Sequence, residues 1–361
     1  MRGSFGVDPL KIILAGAMAY IAVLPRFNIF LAIDQYNAQI AYACMGAFAL
    51  WAFMRWDSLF QSIKAGWPLV AMVCISVFST WHDPIHFQEY VPFLVVGTML
   101  GLVIAGEYNT QQQLALYAWA LGSLVVINTV FATIFPQVGV TGAEELKYLG
   151  AWKGMFWHKQ FLGAMSGLTS VFFLYRLLQD KKYAVVYFVL LSLSLLLLCK
   201  AHSVTALIAT CVTMACLGMI VQHKLARIIR GALLLLGMAM PGVIVFLMFY
   251  PIPADMAPSW LIKNPTLDMR THIWRDAVLY AVSHSHAWFG YGLSFWKEAG
   301  GQEIIQQLGF NPYVASNGFV DAFIATGYIG LSLLIFALIR DFLAALRHVQ
   351  SAEADFQGWM L

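Results

Sequence analysis

Polar side chains that could bind an anion occur at four separated places in an otherwise apolar chain. They lie within residues 153–160, 200–205 and 270–276, and at 316–318, with Asp321 one helical turn further on. The first three places carry lysine, arginine and histidine. Arginine can grip a phosphate through two parallel hydrogen bonds, and lysine supplies a compact charge. These residue types indicate binding of a phosphate or diphosphate, and they would stabilise the charge that develops if that group leaves.

Each of these clusters also has a structural interpretation. The lysines of the first cluster could extend along the helix ends towards lipid headgroups, and its histidine could be an ordinary polar anchor. Arg270 and Arg275 could form a surface network with neighbouring aspartates. Asp321 is harder to explain in this way, because a charge within an apolar helix is costly and generally faces a cavity or a partner.

The composition places these clusters in a membrane protein. Of the 361 residues, 61% are apolar and 11% are charged, whereas a soluble domain carries about 25% charged residues. The mean hydropathy is +0.74. These values argue against a water-soluble enzyme, a disordered chain, a coiled coil and a disulfide-stapled module. The net charge of +3 is too small and too dispersed to indicate nucleic acid binding.

Metal sites and nucleophilic serine chemistry fit the sequence poorly. His284 and His286 are two residues apart without a second pair of ligands nearby. His202 and Ser203 are adjacent in sequence, and adjacent side chains seldom point at one another. The five cysteines lie in or beside apolar runs and form no CxxC pair, which indicates packing roles. We therefore predict no metal and no cofactor.

The hydropathy pattern predicts an all-α, polytopic membrane protein with about ten transmembrane helices and room for more. The first apolar run lacks a clear cleavage site and is expected to remain as a membrane helix. The predicted segments are residues 9–25, 37–54, 66–81, 91–106, 114–135, 158–178, 183–199, 204–222, 231–250 and 316–339.

The distribution of lysine and arginine orients these segments. With the N-terminus inside, the inner loops hold twelve of the 21 basic residues and the short outer loops hold five. Because inner loops are enriched in basic residues, this arrangement predicts that both termini are cytoplasmic. It also places all four polar clusters on the outer face of the membrane.

Two outer connections differ from the other loops. Residues 136–157 are rich in glycine, and residues 251–315 form by far the longest loop. Long ordered loops tend to carry function. The sequence therefore divides into residues 1–250 with transmembrane helices 1–9, the large loop 251–315, and residues 316–361 with the last transmembrane helix and a cytoplasmic C-terminus.

Within the large loop, residues 269–283 mix apolar and charged side chains without glycine or proline. This pattern predicts a helix that lies at the membrane interface, with Trp274 near headgroup depth. The large outer loop is therefore expected to contain interfacial helices.

At these clusters the sequence resembles the O-antigen ligase and polymerase superfamily, and within it the exopolysaccharide polymerases. Residues 151–163, AWKGMFWHKQFLG, look like the family's W-[RK]-G-x-F-x-H-K-N-x-L-G element. Residues 270–296 are similar to its R-x-x-x-W…G-x-G element, with the tryptophan and both glycines at matching places. Residues 316–331, SNGFVDAFIATGYIGL, resemble its H-N-G-x-L…G-x-x-G element. The resemblance spans about residues 145–340.

Two residues depart from the family pattern. Gln160 stands where the family has asparagine, and it moves the amide by one methylene. Ser316 stands where the family has histidine, and serine cannot supply a protonatable nitrogen. If that nitrogen is needed, His158, His202 or His272 would have to provide it. Family members also usually continue beyond the equivalent of this C-terminus with further membrane helices.

The resemblance implies a GT-C-like membrane glycosyltransferase at the periplasmic face of the bacterial inner membrane. Its donor would be an undecaprenyl-diphosphate-linked glycan, and the hydroxyl of a glycan acceptor would displace the lipid diphosphate with inversion and without a metal. Polymerisation for exopolysaccharide or O-antigen synthesis is favoured. The alternatives are an O-antigen ligase that transfers polymer to lipid A–core, a solute transporter and an inactive scaffold. Export or chain-length regulator proteins are further expected partners, besides the lipid bilayer.

The resemblance also implies roles for individual residues. Arg270 would clamp the diphosphate with His158 and Lys159 beside it, Asn317 would orient donor or acceptor, and Ser316 occupies the place of the family's histidine. Charge and position add a set of substrate-binding candidates, of which Lys200 and Arg275 rest on charge alone. This set is Lys153, Lys159, Lys200, Arg275, His272, Trp274 and Asp321.

Overall fold

The structure, a computed structural model, is helical throughout the residues it describes. These are residues 46, 49–50, 53–142, 149–156, 158–221, 265–284, 286–297, 299–308 and 317–360. Over these ranges the only β-type contact is an isolated bridge between Val140 and Trp152. The longer helices are α1 (Trp56–Ala65), α2 (Trp67–Thr80), α3 (Pro84–Glu107), α4 (Thr110–Ile134), α5 (Lys159–Gln179), α6 (Ala184–Lys200), α7 (Val204–Val221), α8 (Pro265–Ser283), α9 (Ala299–Leu308) and α10 (Gly318–Met360).

In the described part of the chain, five helices are long and apolar enough to cross a membrane, or six if α1 and α2 count as one broken span. The protein is thus a multi-pass membrane protein by helix length and composition. The five spans lie in α3, α4, α5, α6 and the first part of α10. Helix α7 covers Val204–Val221, and its described apolar stretch Val204–Ala215 is not counted among these spans.

The number of about ten spans remains a prediction from the sequence. The structure supplies helices where residues 66–81, 91–106, 114–135, 158–178, 183–199 and 316–339 were expected to span. It also makes a helix of residues 56–65, which were expected to form an inner loop. Three predicted segments lie wholly or mostly outside the described residues, namely 9–25, 37–54 and 231–250.

The chain packs as two compact units. The first unit comprises residues 1–55 and 103–233, and the second comprises residues 56–102 and 234–361. Helix α3 contributes its last turn to the first unit and its larger part to the second. This grouping reflects packing in space, and the three-part division of the sequence remains a prediction.

In the first unit, α5 and α6 form a helical hairpin whose closed end is held by a buried arginine. Arg176 donates through its Nη2 nitrogen to the Asp180 carboxylate at 3.2 Å and to the Tyr187 hydroxyl at 2.8 Å. The Tyr187 ring also lies beside the fully buried Phe173. A charge removed from water needs such partners, because an unpaired buried charge would cost several kcal/mol.

In the second unit, α1 and α2 meet at an elbow of 95°. Helix α1 has an amphipathic sequence, with Leu59 buried and Lys64 exposed. Arg340 of α10 donates to the carbonyl oxygen of Ala65 at 2.6 Å and so satisfies an acceptor at the end of α1. Arg340 also pairs with Asp341 at 2.7 Å. The elbow and the charged end of the apolar span of α10, Arg340 and Asp341, therefore lie at the same level.

The helical path of α10 is interrupted at Gly327, where φ is +64° and ψ is −163°. The segment 287–293 lies alongside this interruption and bonds to both of its sides. Backbone N–H groups of Tyr291 and Gly292 donate to the carbonyls of residues 324 and 325, at 2.7 and 3.1 Å. In return, Tyr328 and Ile329 donate to the carbonyls of residues 287 and 288. We call this paired backbone the joint.

Helix α2 completes the joint with two neighbouring hydroxyl groups. Ser79 donates to the Phe289 carbonyl at 2.5 Å. Thr80, which is fully buried, accepts from the Leu293 N–H at 3.0 Å and donates to the Ser76 carbonyl at 2.7 Å. The joint therefore ties together α2, the chain that follows α8, and α10.

Two glycines are required by the close approach of the backbones in the joint. Gly292 has φ of +80° and Gly327 has φ of +64°, a region that costs L-residues about 1–2 kcal/mol. A Cβ at Gly292 would lie 2.5–2.8 Å from Ser79 and Thr80 atoms, and one at Gly327 would clash with the Trp288 backbone. The glycines of the G-x-G and G-x-x-G patterns at these positions thus have a structural explanation.

We predict that Gly292→Ala destabilises the protein by about 3 kcal/mol, from the left-handed φ and the backbone clash together. Thermal unfolding of the purified protein in detergent measures this effect. Gly101→Ala in α3 is the matched control, since a Cβ at Gly101 would meet no neighbouring atom within 4 Å. An equal melting temperature for both variants would show that the joint is not required for stability.

Candidate functional site

Three lysines of the first unit come together where α5 begins and α6 ends. The backbone N–H of Trp152 donates to the Lys200 carbonyl at 2.8 Å. The Lys200 ammonium lies over the Trp152 ring, 5.8 Å from its centroid. Lys153 is the next residue, and Lys159 is the first residue of α5. We call Lys153, Lys159 and Lys200 the lysine cluster, and it unites two of the four polar places in the sequence.

The loop that carries Lys153 is held in place by α4 and by the turn that follows α4. The Gly139 carbonyl accepts from the N–H groups of Lys153 and Gly154, both at 2.9 Å. Asn128, only 2% exposed, accepts from the Met155 N–H at 2.9 Å and donates to the Leu124 carbonyl at 2.8 Å. Asn128 is not among the site residues predicted from the sequence. The sequence does show it as a polar residue within the predicted apolar segment 114–135.

Lys159 is buried at the first turn of a helix. It is 7% exposed, and its ammonium donates to the His202 carbonyl at 3.1 Å. The N-terminal end of a helix is itself positive, so a lysine here adds charge where the helix dipole already favours an anion. His202 adopts φ of +49°, which is uncommon for a residue with a Cβ. The turn after α6 is thus held in a costly conformation that directs its carbonyl to Lys159.

His158 caps α5, and this contact fixes the tautomer of its ring. Its Nδ1 accepts from the Gln160 N–H at 3.2 Å. The Nδ1 therefore carries the lone pair, and the proton of the neutral ring lies on Nε2. His158 consequently offers an N–H donor, which suits an anion. A role as proton acceptor would require the other tautomer and the loss of this cap.

The second unit contains the remaining candidates on α8 and at the start of α10. The prediction of a helix over residues 269–283 is confirmed, because α8 covers it. Ile273, Ala277 and Ala281 form its buried face, whereas Arg275 is exposed. Trp274 is half-buried and packs against the core, which gives it a structural role. Arg270 and His272 lie on α8, with side chains outside the described residues.

Asn317 and Asp321 occupy successive turns at the start of α10. The Asn317 side-chain oxygen accepts from the Phe319 N–H at 3.0 Å, so this asparagine caps the helix. Its Nδ2 group is the end able to donate to a substrate. Asp321 is half-buried, and its N–H donates to the Asn317 carbonyl at 2.9 Å. Ser316 lies outside the described residues.

Among the side chains that the structure describes, no three His, Cys, Asp or Glu residues are grouped so as to hold a metal ion. His284 and His286 are each engaged with an aromatic ring. His284 stacks on Tyr280 at 4.1 Å between ring centroids, and His286 stacks on Tyr291 at 4.2 Å.

We predict that Asn128→Ala lowers the stability by about 1–3 kcal/mol, because the Met155 N–H loses its buried acceptor. The measurement is thermal unfolding of the purified variant. Thr133→Ala on the same helix serves as the control, since Thr133 is exposed and bonds only to carbonyls of its own helix. A melting temperature of Asn128→Ala equal to that of the control would refute this role of Asn128.

Comparison with known proteins finds one distant similarity. The chain is 27% identical over 175 residues to the exopolysaccharide production protein ExoQ of Rhizobium meliloti (strain 1021), over 45% of this chain and 39% of that protein. The chain therefore covers less than two thirds of that relative's length. No family model matches the chain, and no solved structure matches it. The similarity supports a distant relationship with exopolysaccharide-production proteins.

Proposed function

We propose that the chain is a membrane glycosyltransferase that polymerises undecaprenyl-diphosphate-linked oligosaccharide repeats at the periplasmic face of the inner membrane. The observation that carries this proposal is the lysine cluster. Two stretches some forty residues apart in sequence present basic side chains at one end of the α5–α6 hairpin. The distant similarity to an exopolysaccharide production protein is consistent with it.

The reaction places its greatest electrostatic demand on the leaving group. An acceptor hydroxyl oxygen forms a bond to the anomeric carbon of the donor sugar, and the bond from that carbon to the diphosphate oxygen breaks. The diphosphate leaves with the electron pair, and the hydroxyl proton passes to solvent or to the released diphosphate. Preorganised cations that bind the diphosphate more strongly as its charge grows would lower the barrier of this step.

The lysine cluster has the features of such a binding site. Lys159 is held rigidly by burial and by the His202 carbonyl, so little entropy is lost when an anion binds. The N-terminal dipole of α5 adds to its charge. The Nε2–H of His158 supplies a directional donor, and Lys153 and Lys200 supply charge on side chains that are more exposed than Lys159. In this assignment His158 binds the diphosphate and does not accept a proton.

The residues of the second unit have complementary proposed roles. Arg270 clamps the diphosphate, as the family resemblance implies, and Arg275 and His272 are further substrate-binding candidates on α8. Asn317 uses its oxygen to cap α10, which leaves the Nδ2 group to orient a glycan hydroxyl. Asp321 supports this helix start. No general base is assigned, since a diphosphate is a good leaving group.

We predict that the purified protein, reconstituted with undecaprenyl-diphosphate oligosaccharide and a metal chelator, produces a ladder of repeat-unit additions. Mass analysis of the products measures it. Transfer of finished polymer to lipid A–core, without a ladder, would instead identify a ligase. Uptake of substrate into sealed vesicles without new glycosidic bonds would identify a transporter.

In the same assay, we expect Lys200→Gln to lower kcat/KM at least tenfold, because it removes a charge from the diphosphate site. Arg270→Ala should abolish the ladder, and Arg270→Lys should restore only part of it, since lysine cannot bond bidentately. Lys181→Gln is the matched control at the opposite end of the α5–α6 hairpin. An equal loss in the control would show that the effect is not specific to the cluster.

Ser316→His tests the departure from the family pattern. A rise in turnover would show that a histidine at this position contributes to the reaction and that the natural chain works without it. Unchanged turnover, with a ladder from the wild type, would show that the reaction needs no protonatable group there.

A further inference from the structure

The number of residues along helix α10 gives the depth of neighbouring residues in the membrane. The apolar span of this helix ends at Arg340 and Asp341, level with the elbow, where Lys64 is also exposed. Charges at this level place it at one boundary of the hydrocarbon core. The last joint residue on α10, Ile329, lies eleven residues before Arg340, which corresponds to about 16 Å along a helix. Since the hydrocarbon core is about 30 Å thick, the opposite boundary lies about 14 Å beyond Ile329.

The joint is therefore within the thickness of the membrane. Its non-helical backbone is satisfied by the pairing between residues 287–293 and α10. Irregular backbone at membrane depth is tolerated only when it is buried in protein or borders water. The buried part of the joint, around Gly290 and Gly292, meets the first condition. The residues just before it, His284 and His286 among them, are exposed and so do not meet the first condition.

Two histidines border the joint and are exposed. The ring of His286 stacks on Tyr291, whose N–H bonds to α10 within the joint. This contact holds His286 at the level of the joint, and His284 is two residues away. On α2, the end that meets the joint is followed by the exposed Trp81, then by the exposed His82 and the half-buried Asp83. Polar side chains of two chain segments thus lie beside the joint, next to the exposed rings of Trp81 and Trp288, at a depth where lipid would be the alternative neighbour.

We propose that His284 and His286 line a water-filled recess that enters the membrane from the side where α10 begins. Exposed imidazoles inside a bilayer are stable only if they face water or a polar partner. The apolar Leu279 and Val282 are also exposed on the last turns of α8 and face lipid. The recess thus lies on the side of the histidines, apart from the lipid-facing surface of α8.

The hydrogen bonds of the histidines define what the recess can bind. The Nδ1 of His286 lies 2.6 Å from the His284 carbonyl, and the Nδ1 of His284 lies 3.0 Å from the Tyr280 carbonyl. A carbonyl can only accept, so both Nδ1 atoms carry a proton and each neutral ring keeps its lone pair on Nε2. The recess therefore offers acceptors for hydroxyl groups, which suits water and the hydroxyls of a glycan rather than an anion.

Site-directed spin labelling tests the recess without any assay of activity. His286→Cys is made in a background in which the five native cysteines are replaced, labelled with a nitroxide and reconstituted in lipid vesicles. We expect frequent collisions with a water-soluble nickel chelate. Val282→Cys, one turn earlier and also exposed, should collide mainly with oxygen, which concentrates in lipid. Gln302→Cys on α9 is the aqueous reference.

Two outcomes would overturn the recess. If the label at residue 286 reports lipid like that at residue 282, the histidines are embedded in the bilayer. If both labels report water equally, the membrane is thinned around α8 and no separate recess exists. The expected contrast is at least threefold in nickel accessibility between residues 286 and 282.

The binding of glycan hydroxyls rests on the proposed function and has a separate readout. In the polymerisation assay, His286→Ala is expected to raise KM for the acceptor about fivefold with little change in kcat, and His286→Asn to recover most of the affinity through its amide oxygen. An unchanged KM would refute glycan contact while the labelling result stands. A wild type without polymerase activity would refute the proposed function alone.

Discussion

Backbone hydrogen bonding in the absence of water is the constraint on which the second unit depends. Inside a bilayer an N–H or C=O without a partner costs several kcal/mol, so a helix that breaks must find new partners at once. The break at Gly327 is satisfied by the chain that follows α8, and the Ser79 and Thr80 hydroxyls satisfy two further groups of that chain. The position of α8, and of the basic residues it carries, follows from this pairing.

In the first unit, charged side chains that are withdrawn from water likewise need polar partners. Lys159 is withdrawn from water at the start of α5, and Arg176 is withdrawn near the other end of the same helix. Arg176 bonds to Asp180 and Tyr187, and Lys159 donates to the His202 carbonyl. The proposed ligand-binding role of Lys159 rests on its place at the positive end of α5. Asn128 and the turn at His202 hold the loops around it.

The proposed reaction needs two kinds of polar contact. Cations and an N–H donor in the first unit suit the diphosphate of a lipid-linked donor. The Nε2 atoms of His284 and His286 in the second unit suit hydroxyl groups. His158 and His286 differ in tautomer because one ring is capped by an N–H and the other by a carbonyl. Identical side chains thereby acquire opposite hydrogen-bonding roles.

The sequence by itself determined the membrane class, the positions of most described helices and the residue types that could bind an anion. These features depend on local composition and on apolar runs, which a single chain displays directly. The elbow after α1, the joint, and the partners of Asn128 and Thr80 were decided only by the tertiary structure. Ser79 and Phe289 are 210 residues apart, and only packing determines which hydroxyl meets which carbonyl over such a separation. The glycine patterns were visible in the sequence, but the reason for them is the contact between two backbones.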